Sequence, residues 1–117
     1  GKPLLLPGRH ALNAAAAFLA CADRGPQGAH VFNLHGDTLD VAAFVAAIER
    51  ELPAARGKLT HGGPRIPIPP LLDGSAIDAA VPGLARTSVA SGVRETLTRF
   101  RALADGGALD ARDLPST

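Results

Sequence analysis

"GAHVFNLHGDTLDVAAFVAAIERELP", residues 28–53, is the stretch that decides the fold. Its first part changes to its second at Gly36. "AHVFNL", Ala29 to Leu34, is short, β-branched and aromatic in character, and reads as a strand. Gly36 turns the chain. Thr38 can then cap a helix, with Asp40 in its first turn, where a negative charge suits the helix dipole. Val41, Phe44, Val45, Ile48 and Leu52 recur at helical spacing and make one apolar face. Pro53 ends the helix because it cannot donate to the preceding turn.

The same reading extends outward in both directions. Upstream, "AAAAFLACA" has high helix propensity, so the spacing predicts a helix over 11–24. Asn13 is its candidate cap, and Gly25-Pro26 stops it. Residues 1–9 form an arm containing Pro3, Pro7 and Gly8. Downstream, "GKLTHGG" offers a second strand from Lys58 to His61. "PRIPIPPLLDG" cannot be helical, because Pro64, Pro67, Pro69 and Pro70 impose an extended path with few donors. Ser75 and Asp78 form an S-x-x-D capping signal for a short helix reaching Val81, closed by Pro82-Gly83. The last helix begins near Ser88, with Val89, Val93, Leu97, Phe100 and Ala104 as its stripe. Gly92 costs about 1 kcal/mol inside a helix relative to Ala, which suggests a close neighbour there.

This order predicts an α/β fold: a small domain with a short two-stranded sheet covered by three to four helices. Two strands are marginal alone, so the helices must cover them or another chain must pair with them. Residues 1–104 form a single module, and 105–117 form a disordered tail. A length of 117 residues suits one domain. The apolar residues are mostly Ala, Leu, Val and Ile, with four Phe and no Trp, Tyr or Met, so the core is thin.

Composition also excludes function classes. The formal net charge is +1 with both signs interleaved, which gives no electrostatic case for nucleic acid. Aromatic platforms for single strands are absent. One cysteine, Cys21, cannot form an internal disulfide or a Cys-rich zinc site, and reads as a buried thiol. No apolar run approaches the roughly 20 residues of a membrane span. "GKPLLLPGRH" is too short and too proline-broken for a signal peptide. The expectation is a cytoplasmic protein with no nucleic-acid or membrane partner.

The segments in series resemble a known family. Residues 28–53 resemble the part of extended short-chain dehydrogenases/reductases that follows the cofactor domain, as in the NAD-dependent nucleotide-sugar epimerases and dehydratases. "NAAAAFLACA" is similar to that family's "D-V-A-x-A-F" helix, with Asn13 where Asp is usual and Phe18 in place. "PLLDGSAIDAAVPGLARTSVASGVRETLTRFRAL" looks like the family's short "D-x-S-K-A" helix followed by its final helix. Gly92, Arg94, Glu95, Thr96 and Phe100 fall where the family has them. The likeness spans about residues 9–103, and it rests on the ordered series rather than on one motif.

The resemblance implies a substrate-binding domain like the C-terminal domain of those enzymes. It also implies a chain that is catalytically incomplete alone. The family's Gly-rich turn cradles the cofactor pyrophosphate, and no G-x-x-G-x-x-G occurs here. The family's Tyr-x-x-x-Lys pair supplies its base, and this chain has no Tyr. NAD(P) is therefore implied for a complete family enzyme, with no cofactor bound by this chain and no catalytic residue in it.

The substrate loop of the family falls on "THGGPRIPIPP". Gly62 and Gly63 let backbone N–H groups approach a ligand, and Arg65 can fork onto a diphosphate. The family often has an Arg there, but its R-P-G-D order is absent. A turn with a solvated charge is the plain alternative. Arg9 is a second candidate phosphate contact, or a basic residue on an arm. Asn33 and His35 end the first strand on one face, where ligands sit in α/β folds. His35 reads as a ligand contact, a switch or an ordinary loop histidine. His30, His35 and His61 do not converge by alternation, so no metal site is expected. No G-x-S-x-G supports a hydrolytic triad. The expected ligand is a nucleotide sugar. The expected partner is a second copy or a missing cofactor domain. The alternative from another class is a non-catalytic interaction or scaffold module that self-associates through an uncovered apolar face.

Overall fold

The computed structural model describes residues 5–7, 11–64, 67, 69, 71–110 and 112. Helix dominates. The elements run β1 (Leu5–Pro7), α1 (Ala11–Arg24), β2 (Thr38–Asp40), α2 (Val41–Glu51), a 3-10 turn (Pro53–Ala55), α3 (Ser75–Ala80) and α4 (Val89–Asp105). The four helices stand where helical spacing and stop signals place them.

The strands do not. Neither Ala29–Leu34 nor Lys58–His61 enters a ladder. A strand needs a partner for its main chain, and local sequence cannot supply one. Both stretches lie between Gly- and Pro-rich turns, and neither forms a main-chain ladder bond: 29–34 makes no main-chain hydrogen bond among the described residues, and Lys58–His61 makes only a local one, from the Lys58 N–H to the Ala55 carbonyl at 3.0 Å. The ladder that does form is antiparallel and three residues long on each side, with Leu5 opposite Asp40, Leu6 opposite Leu39 and Pro7 opposite Thr38. Pro7 ends its strand, where a missing N–H does least harm.

The helix ends also differ from the simple capping reading. α2 is capped by Asp40, whose carboxylate accepts from the Ala43 N–H at 2.6 Å, and Thr38 is left in β2. Asn13 lies inside α1, so it caps nothing. Its side-chain oxygen accepts instead from the Thr87 hydroxyl at 2.9 Å. The S-x-x-D box at α3 is not made, because Gly74 holds the cap position. Asp73 accepts from the Ser75 N–H at 2.9 Å, and Asp78 is drawn away to Arg86. A carboxylate facing a guanidinium makes a stronger bond than one reaching back to a neutral N–H. Ser88 does cap α4, accepting from the Ser91 N–H at 3.2 Å.

The core has two parts. Ala17 of α1 meets Ile77 of α3 and Val81 just beyond it, with Ala20, Cys21, Phe32, Leu34 and Leu84 around them. α2 packs on α4, where Ala47 and Val93 are buried. Arg94 of α4 clamps that pair by forking onto Glu51 of α2, at 3.1 and 2.9 Å. Gly92 stands on the wall of the cavity between these two helices. α1 carries no charge from Ala11 to Ala22, yet only one side of it faces the core. Phe18 and Leu19, on the other side, are 78% and 72% exposed. A helix apolar all round is ordinarily covered all round. No described helix is long and apolar enough to cross a membrane.

The contrast between Ile77 and Phe18 is testable. Ile77→Ala removes a side chain that is 4% exposed and should cost about 2–4 kcal/mol. Phe18→Ala should stay within about 0.5 kcal/mol in the isolated chain. Urea unfolding followed by circular dichroism measures both. A Phe18 cost equal to that of Ile77 would mean that its face is covered in solution.

Candidate functional site

The polar centre lies where the Ala29–Asp37 segment crosses α3. Phe32 and Leu34 turn inward against Ala17, Ile77 and Val81, while Val31 and Asn33 are exposed. The alternation is that of a strand, without a strand's hydrogen bonds. The next residue, His35, reaches α3 and the chain entering α4. Its Nε2 lies 3.1 Å from Asp78 Oδ2 and 2.5 Å from Arg86 Nη2. Arg86 Nη2 also donates to both oxygens of Asp78, at 2.8 and 2.9 Å. His35 can lie this close to the chain because residue 74 is Gly. A Cβ there would run into the imidazole ring.

The electrostatics follow from these contacts. The hydrogen bond with His35, then that with Arg86, holds the Asp78 carboxyl below its usual value. The Ser75 backbone N–H, then its hydroxyl, does the same for Asp73. Between α2 and α4, Arg94 lowers Glu51, first by its hydrogen bond. His35 is 25% exposed, and Asp78 and Arg86 are about half exposed at 45% and 50%, so solvent screens the cluster in part.

Asn13, Thr87 and Asp37 complete the walls of this small cavity. Its volume is about 30 Å³, room for a water and not for a sugar. The Thr87 hydroxyl is committed to Asn13, so it is not poised as a nucleophile. Two larger cavities are mainly apolar. One, about 280 Å³, lies between α2 and α4 and is lined by Phe44, Ile48, Val93 and Leu97. The other, about 360 Å³, lies between α1 and the 26–34 segment and includes Cys21, His30 and Phe32. His30 stacks on Phe32 with ring centroids 5.9 Å apart, and bonds the Gln27 carbonyl at 2.8 Å. Among the described residues no group of His, Cys, Asp and Glu could hold a metal ion.

The residues expected to bind substrate are not gathered here. Arg65 and Arg9 lie outside the described residues. Gly62 and Gly63 are exposed, and nothing in the chain lies within 4 Å of a Cβ built on either. Gly63 has φ +110°, a conformation that suits glycine alone. Asn33 is exposed and lines none of the three cavities described. Sequence reasoning picked out His35 but missed Asp78 and Arg86 as its partners. Asp78 has the spacing of a capping box with Ser75, and its distance of 43 residues from His35 hides the contact. Comparison of the chain with models of known families, with curated proteins and with solved structures yields no match.

Acid should reveal the cluster. A carboxyl held below its unfolded value adds stability above that value and loses it as pH falls through the folded one. The wild-type chain should therefore lose more stability than Asp78→Asn as pH drops from about 5 to about 2. Denaturant midpoints across that range give the comparison. Parallel losses in the two proteins would show that Asp78 contributes nothing to acid sensitivity.

Proposed function

We propose that this chain is the substrate-side module of an enzyme resembling the NAD-dependent nucleotide-sugar epimerases and dehydratases, and is catalytically incomplete alone. The observation that carries this reading is the incomplete face beside α1. Ala29–Leu34 has the side-chain alternation of a strand and no ladder, and the outer side of α1 exposes Phe18 and Leu19. A second domain bearing a sheet edge and an apolar surface would satisfy both. Support also comes from the helices: α1, α2, α3 and α4 coincide with the four helical segments on which the resemblance rests.

In this reading the ligand is a nucleotide sugar. Gly62 and Gly63 open the loop to the diphosphate, Arg65 forks onto it, Arg9 gives a second cationic contact, and Asn33 bonds the sugar. The missing domain supplies NAD(P) and the base. The setting is cytoplasmic.

A second reading is favoured by the same exposed side chains. A second copy could cover Phe18 and Leu19, which makes the chain a self-associating module without a ligand. Sedimentation at about 10 μM separates the readings in part: a monomer removes the second one.

Calorimetric titration with UDP-, GDP- and dTDP-sugars tests the first reading. One nucleotide class should bind with Kd near or below about 1 mM, some 4 kcal/mol. Arg65→Ala should abolish that heat. A folded chain that gives no heat with any of these ligands would overturn the substrate-module reading.

A further inference from the structure

We propose, on the reading that the chain self-associates, that the outer face of α1 docks on the same face of a second copy, antiparallel, about a twofold axis level with Ala17. The face is a narrow stripe. Leu12, Ala15, Leu19 and Ala22 are all exposed and follow one another at steps of three, four and three residues. That spacing keeps side chains in line along a helix, and it is the spacing of a helix-pairing seam. Leu12, Phe18 and Leu19 are 52%, 78% and 72% exposed. Ala17, the buried residue of α1, lies on the opposite side.

The stripe fits itself in one direction. In a twofold pair each contact is made twice, residue i of one copy on j of the other and j on i. With the helices antiparallel and the axis level with Ala17, Ala15 faces the partner's Leu19 and Leu12 faces the partner's Ala22. Each large side chain then meets a small one, so the helices approach closely and the leucines fill the space that the alanines leave. Phe18, one residue from the axis, lies beside the partner's Phe18. A parallel pair would set leucine on leucine and alanine on alanine. That holds the helices apart at two levels and leaves gaps at the other two.

Charge selects the same direction. No charged residue occurs from Ala11 to Ala22, so no charge is buried along the seam. Asp23 is exposed at the end of the stripe. α1 has no acidic residue in its own first turn. The antiparallel pair puts Asp23 level with the partner's Ala11, where the positive end of the partner helix favours a carboxylate. The two helix dipoles also oppose one another. A parallel pair would instead bring the two Asp23 carboxylates together.

Sedimentation and cysteine trapping test the interface. The wild-type chain should dimerise in the micromolar range. Leu19→Glu, with an unchanged circular dichroism spectrum, should raise the dimer Kd at least about tenfold. In a Cys21→Ala background, Ala15→Cys and Leu19→Cys chains mixed under mild oxidation should form a mixed disulfide faster than either chain cross-links alone. Ala15 and Leu19 are both exposed, so neither change disturbs the core. A wild-type chain that stays monomeric up to about 100 μM overturns the interface and the self-associating reading together, and leaves the face to a missing domain. A dimer that survives Leu19→Glu, traps no mixed disulfide, or traps same-residue disulfides faster than the mixed one overturns this interface alone and keeps the self-association.

Discussion

The contact on which the fold depends is the one between Ala17 of α1 and the pair Ile77 and Val81. Alanine lets the helix backbone approach closely, but it brings little apolar area with it. Among the described residues that are buried, only Ile77, Val81 and Val93 are larger than alanine. A core this thin cannot fix the register of four helices by shape alone. Packing of larger side chains would do so, because interdigitated shapes fit in one way.

Polar clamps take over that task. Arg94 on Glu51 sets α4 against α2. Arg24 donates to the Pro82 carbonyl at 2.7 Å and ties the end of α1 to the turn after α3. Thr87 on Asn13 ties the entry of α4 to the start of α1. The His35–Asp78–Arg86 cluster closes the remaining gap, between the 29–37 segment, α3 and the approach to α4. The ion pairs among them are partly screened by solvent and add little to stability alone, while Thr87 on Asn13 is part-buried. Their value is directional, since each bond has one geometry and joins residues far apart in sequence. The arrangement also places ionisable groups at the joints of this chain.

The helices were legible in the sequence because their signals are local. The alanine run, the stop at Gly25-Pro26, the apolar spacing from Val41 to Ile48 and the Ser88 cap all act within a few residues. The strands and the site were not legible, for one shared reason. A ladder needs a partner strand, and a cluster needs partners from other elements, and neither leaves a mark within a short window. "AHVFNL" has the pattern of a strand and lacks the neighbour. Thr38 suits a cap by residue type, but β2 runs on to Asp40 and α2 begins only at Val41, so Asp40 stands at the junction and takes the role. Asp78 shows the same limit in sharper form. Its spacing from Ser75 is that of a capping box, but a guanidinium eight residues on is the stronger partner. The loop at Gly62 and Gly63 is open and exposed, with nothing of the chain near either glycine.

α1 joins the question of stability to that of function. It is the strongest helix signal in the chain, and it has apolar residues on every side. Helix propensity cannot say which side is inside, and the fold uses only one. The half against Ile77 and Val81 carries the core. The half bearing Phe18 and Leu19 is largely exposed to water, although Phe18 also borders the cavity between α1 and the 26–34 segment. Cover that half, and the same side chains become an interface as apolar as the core. The adjoining 29–34 backbone, which has donors and acceptors but no ladder, would gain partners in the same event. A partner that supplies a sheet edge and an apolar surface together therefore completes two deficits at once, whereas a partner supplying either alone leaves the other uncovered.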